Sequence, residues 1–177
     1  FGLFDRAAPQ ALRSRRLNKI SPRAGDVSVV MDMMIHDLDL LAELTGLDDI
    51  TIVNVDQRRE KSDFADFVDV TVKAGDTEAR LIASRLEEDP IRDLQLQYPD
   101  GILDLDFLKR QVSNTTDIPV AADFSSAALP MALRDPLAFG TESFLQAVIK
   151  GTPPPVTGQA GRRALAMALS IEAALDG

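Results

Sequence analysis

A chain of 177 residues with a formal net charge of −9 lacks the basic field that phosphate backbones demand, which excludes nucleic acid as a general partner but leaves room for a small anion in a local basic pocket. The absence of cysteine removes disulfides, thiolate metal sites and a cysteine nucleophile, and suits a reducing cytoplasm. No apolar run reaches the ~18–20 residues that span a bilayer and no secretory signal pattern opens the chain, so no membrane partner is expected.

With 45% hydrophobic and 27% charged residues, this length supports one globular domain over residues 1–177. Because the chain opens on Phe1 rather than Met, a fragment is expected. Ala11 to Asn18 reads as a short strand, and Ser21-Pro22-Arg23-Ala24-Gly25 is turn chemistry. Asp26 or Ser28 can then N-cap a helix running to about Thr45, with Gly46 as its stop.

From Ile50 the apolar residues alternate. Thr51–Asp56, Phe67–Val72, Ala79–Ser84, Asp93–Tyr98 and Ile102–Phe107 read as strands with one wet face. The turns Lys73-Ala74-Gly75-Asp76 and Pro99-Asp100-Gly101 are too short for crossover helices, so the sheet should be mainly antiparallel. A polar connection follows from Asn114 to Pro130. Two helices, roughly Asp135–Lys150 and Gly158–Leu175, close the chain around the rigid break Gly151-Thr152-Pro153-Pro154-Pro155. The expected fold is α+β: an open, mainly antiparallel sheet with helices on one face. The other face reads as Val, Leu, Gln and Thr rather than dense charge, and is expected to pair in a homodimer or higher homo-oligomer.

The first helix carries the chemistry. Asp32, His36, Asp39 and Glu43 stand at i, i+4, i+7 and i+11 and form one polar stripe opposite Val30, Met33, Met34, Leu38, Leu41 and Leu44. Asp32 and His36, the only histidine, are neighbours on that stripe, where a carboxylate can orient or charge an imidazole for proton transfer. The competing reading is a merely solvated face. No second His or Cys completes a soft-ligand set, so no metal is expected. Asp37 falls within the apolar arc, where a carboxylate requires an arginine or backbone N–H partner. Arg13, Arg15, Arg16, Lys19 and Arg23 form a basic cluster just before the helix. It can anchor a substrate phosphate or carboxylate, or simply pair with the many aspartates.

The run Gly25-Asp26-Val27-Ser28-Val29-Val30-Met31-Asp32-Met33-Met34-Ile35-His36-Asp37-Leu38-Asp39, with its Asp-x-x-x-His core, resembles the catalytic motif of the Gfo/Idh/MocA family of NAD(P)-dependent oxidoreductases. Within that family it looks most like the branch similar to UDP-N-acetylglucosamine 3-dehydrogenases. Ser14-Arg15-Arg16-Leu17-Asn18, Ser21-Pro22-Arg23, and the ending from Asp135-Pro136-Leu137 through Pro155-Val156-Thr157-Gly158 extend the likeness over most of Arg13–Leu175. The resemblance implies the C-terminal half of a two-domain enzyme, a glyceraldehyde-3-phosphate-dehydrogenase-like C-terminal domain. NAD or NADP would be held by a Rossmann domain that this chain lacks, since no G-x-G-x-x-G follows a strand.

By resemblance, His36 takes the proton from a hydroxyl of a sugar or nucleotide sugar, and Asp32 tunes or orients it. Arg16, Arg23 and Asp39 are the expected substrate contacts, with no cofactor-binding residue in the chain itself. The alternative is a non-catalytic oligomerisation or interaction domain of the same fold. A catalytic domain should expose Asp32 and His36, whereas an assembly module should bury them.

Overall fold

The computed structural model describes residues 6–20, 25–119 and 134–175. Seven strands, β1 (Ala11–Lys19), β2 (Thr51–Arg58), β3 (Phe67–Ala74), β4 (Thr77–Ser84), β5 (Leu86–Tyr98), β6 (Gly101–Asp106) and β7 (Gln111–Asn114), form one sheet in the order β2-β3-β4-β1-β5-β6-β7. Every adjacent pair is antiparallel except β1–β4, so the sheet is mixed but mainly antiparallel, as the short turns require. The helices are α1 (Ile35–Thr45), α2 (Pro136–Lys150) and α3 (Gly158–Leu175).

Alternation within the strands separates the two faces. Leu12, Val68, Val70, Val72, Ala79, Leu81, Ala83, Leu94, Leu96, Leu103 and Leu105 are buried on one face. Over it lies α1, which buries Leu38, Leu41 and Leu44, and against α1 packs α3, through a face that buries Ala164, Met167, Ala168 and Ile171. Small buried residues on both helices, Ala42 on α1 and Ala164 and Ala168 on α3, permit a close approach. Gly46 ends α1 in the left-handed region at φ 70°, where its N–H bonds to Ala42 O.

The opposite face corrects the expectation of a sparsely charged surface. Arg15 pairs there with Asp93, Arg80 binds Asp69 through two hydrogen bonds of 3.0 and 2.6 Å, and Gln95 donates to Asp104 at 2.7 Å. Most of the valines and leucines lie on the helix side, while on this face the charges alternate with Leu17, Thr71, Ile82 and Ile102.

Two strands depart from the sequence reading. β5 starts at Leu86 rather than Asp93, because a register irregularity between Leu17 and Lys19 accommodates the charged stretch that contains Pro90. β7, formed by the polar run Gln-Val-Ser-Asn, has no hydrophobic alternation to reveal it. It is an edge strand, paired only to β6, and follows Arg110, a non-glycine residue at φ 54°.

The chain also passes directly from β4 to β5 around the end of β1, and the corner is locked by Arg85. That fully buried guanidinium donates from Nε to Asp66 at 2.6 Å and from Nη2 to Ser62 at 2.9 Å. No helix among the described residues is long and apolar enough to cross a membrane.

Candidate active site

Ser28 sets the frame of the site. Its Oγ accepts from Val30 N at 3.1 Å and Met31 N at 3.4 Å, capping the helix start, and its hydroxyl donates to Glu172 of α3. Val29 N–H is tied to Ala65 O at 2.9 Å. Between these anchors Val30–Met34 adopts a π turn, in which Ile35 N–H reaches back to Val30 O before α1 continues. The helix therefore starts where the sequence places it, but with one widened turn, a feature that concentrates at functional sites. Asp32 lies in that turn and His36 one turn on, at the start of α1.

Asp32 and His36 are both exposed. Neither side chain holds a hydrogen bond or ion pair among the described residues, so both are available to a ligand. His36 is within electrostatic reach of two carboxylates that follow it, Asp37 and Asp39. The imidazole thus stands on an acidic edge rather than in an aliphatic pocket.

Asp37 finds the arginine its burial requires. Arg16 Nε donates to its Oδ2 at 2.7 Å, and the two side chains are 11% and 4% exposed. Burial pushes the Asp37 carboxyl up, while Arg16, the Ser14 hydroxyl and His36 oppose the rise. Its Oδ1 has no partner while the Ser14 hydroxyl is turned to Asp93 O at 3.3 Å; rotating that hydroxyl toward Asp37 would satisfy it. Asp39 is half-buried. Burial and the neighbouring Glu43 raise its carboxyl, and Arg163 and His36 counter them. Arg163 of α3 also pairs with Glu43, so the far end of the stripe is bound to α3 while the Asp32–His36 end stays open.

The basic cluster is split by the strand. Arg15 pairs with Asp93 on the open sheet face, Lys19 pairs with Glu88, and Arg16 alone of the β1 arginines reaches the helix side to bind Asp37. Arg23 lies outside the described residues. Arg92, which the sequence analysis did not single out, stands opposite Arg16 in the β1–β5 register. Its signal is visible only once the register is known.

Among the described residues no group of three His, Cys, Asp or Glu side chains could hold a metal ion. Nor do the described residues form a dinucleotide-binding βαβ unit. The one parallel strand pair carries no glycine-rich turn into a helix, and the glycines that open α3 follow a proline-rich connector rather than a strand.

No family model matches the chain. It is 36% identical over 175 residues to the UDP-N-acetylglucosamine 3-dehydrogenase of Acidithiobacillus ferrooxidans, a match covering 96% of this chain and 55% of that protein. The solved structure of that enzyme superposes with a TM-score of 0.72 at 32% identity, over 93% of this chain and 52% of the other. The WlbA dehydrogenase from Bordetella pertussis, solved in complex with NADH and UDP-GlcNAcA, shares the fold at a TM-score of 0.69 and 12% identity, over 93% of this chain and 53% of its own. The chain spans about half the length of the relatives it matches. Identity along nearly all of its length, joined to the same mixed sheet with helices on one face, places this chain in the Gfo/Idh/MocA family of oxidoreductases.

Proposed function

We propose that this chain is the substrate-binding and catalytic C-terminal domain of an NAD(P)-dependent dehydrogenase that acts in the cytoplasm on UDP-N-acetylglucosamine or a closely related nucleotide sugar. The observation that carries the reading is the 36% identity, over 96% of the chain, to an enzyme with that substrate in its name. The exposure of Asp32 and His36 supports catalysis over pure assembly, since an assembly module would cover them.

In this proposal His36 removes the proton from the sugar hydroxyl as its carbon is oxidised. An exposed imidazole can take a proton from a hydroxyl and release it to water. Asp32, on the π turn beside it, orients the imidazole or the sugar, and Asp39 and Arg23 complete the substrate contacts. The oxidation also needs a hydride acceptor. That role falls to a nicotinamide held by another domain, because the described residues form no dinucleotide-binding βαβ unit. The domain self-associates through the open sheet face.

The test uses the intact two-domain enzyme with UDP-N-acetylglucosamine, following the absorbance of the reduced nicotinamide. His36→Ala is expected to lower kcat by ~10²–10⁴-fold, the usual contribution of a positioned acid–base group. Unchanged turnover would remove His36 from the reaction.

A further inference from the structure

The guanidinium of Arg92 has no ion-pair partner of its own among the described residues. It faces Arg16 directly across the β1–β5 pair, so the two side chains share the helix-covered side of the sheet. Arg16 is committed to Asp37 at 2.7 Å. The Arg92 side chain makes no hydrogen bond or ion pair among the described residues. Like charges placed opposite one another across strands destabilise a sheet, so two guanidiniums served by a single carboxylate leave an uncompensated positive centre.

That centre lies in a chain of net charge −9. Partial burial and the charge of Arg16 make Arg92 a weaker base than usual, and Asp37 offsets part of this. The residue is nonetheless exposed enough for a ligand to reach it. The cluster also adjoins the candidate catalytic edge, because Asp37 follows His36 in the chain and lies within its field.

We infer that Arg92, backed by the Arg16–Asp37 pair, is the anion-binding residue for the diphosphate group of the substrate. This rests on the proposed nucleotide-sugar function. A planar guanidinium presents a fork of N–H donors that matches two phosphoryl oxygens. Asp37 keeps Arg16 turned inward, which leaves the fork of Arg92 as the open one. Arg16, an expected substrate contact from sequence, thereby becomes a positioning residue, and Arg92 makes the contact.

His36 is the only histidine, so its ring protons are an unambiguous NMR reporter of the site. The 177-residue chain is titrated with inorganic pyrophosphate and with UDP-N-acetylglucosamine, as wild type, Arg92→Gln, Arg92→Lys and Arg13→Gln. The last is a control on the opposite sheet face. Calorimetry gives the affinities, and the His36 signal reports whether the ligand sits beside it. Both ligands are expected to saturate. Arg92→Gln should weaken each by ~10-fold or more, the range of a charge-assisted hydrogen bond. Arg92→Lys should recover part of the affinity, and Arg13→Gln should behave as wild type. Should Arg92→Gln fail to fold, judged by its amide spectrum, the comparison of Arg92→Lys with wild type decides, since an ammonium cannot reproduce the fork.

Absence of saturable pyrophosphate binding overturns the inference. So does an equal affinity in all the folded variants, or an equal loss in Arg13→Gln. If UDP-N-acetylglucosamine moves the His36 signal with the same affinity in wild type and Arg92→Gln, the proposed function stands and Arg92 loses its role. If pyrophosphate binds through Arg92 while UDP-N-acetylglucosamine leaves His36 unmoved, the anion site is upheld and the nucleotide-sugar reading falls.

Discussion

Asp66 accepts hydrogen bonds from Glu60 N at 2.7 Å, Lys61 N at 2.6 Å, the Ser62 hydroxyl at 2.9 Å and Arg85 Nε at 2.6 Å. Burial alone would raise its carboxyl, but these donors outweigh it and hold the group well below the usual carboxylate range. Asp37, equally buried but with one donor to one oxygen, moves the other way. The two therefore couple stability to pH with opposite signs. With its folded value depressed, Asp66 contributes stability that is complete above the unfolded carboxylate range near ~4 and is lost as pH falls through the folded value. Asp37, with its folded value raised, contributes stability below the unfolded value that is lost as pH rises through the folded one. Asp66→Asn is expected to cost about 3–5 kcal/mol at pH 7, because it strands Arg85 in the core. In urea unfolding the gap to wild type should hold from pH 7 to about pH 5 and narrow as pH falls further through the unfolded carboxylate range near ~4. A gap that stays constant would mean that the Asp66 charge plays no part in it.

At the level of elements, the α1 stripe was legible because helical periodicity survives any packing: Asp32 and His36 are exposed, and Asp37 is buried on an arginine, as their positions on the wheel require. The antiparallel hairpins were legible from their turns. Gly75, at φ 59°, opens the β3–β4 turn where the sequence put one. What stayed hidden depends on long-range register. Arg92 acquires meaning only beside Arg16, β7 is recruited by β6 rather than by its own residues, and the π turn follows from anchors at Ala65 and Glu172 that lie far along the chain. Ser28 makes that last dependence testable. Ser28→Ala removes the acceptor for Val30 N and Met31 N and the donor to Glu172, and should cost about 1 kcal/mol. The Glu172→Gln variant keeps the cap and should lose less. If Ser28→Ala leaves the unfolding midpoint unchanged, the cap does not hold this turn.

The whole molecule presents two surfaces of unlike chemistry. α2 turns Leu137, Phe144, Leu145, Val148 and Ile149 outward, with Leu137 82% and Ile149 75% exposed. The open sheet face is instead a mosaic of Arg15, Asp93, Arg80, Asp69 and Asp104. A two-fold axis lays a patch against itself, so a face carrying both signs side by side is self-complementary, and its Arg–Asp pairs can be remade between copies. Self-association through the sheet should therefore weaken at high salt, because partly exposed ion pairs are screened, whereas association through α2 would hold or strengthen. Sedimentation equilibrium at low and high salt separates the two. The expected result is a dimer that loosens with salt, is lost in Arg80→Glu and survives in Leu137→Glu. A dimer indifferent to salt and to Arg80→Glu, but lost in Leu137→Glu, would move the interface from the sheet to α2.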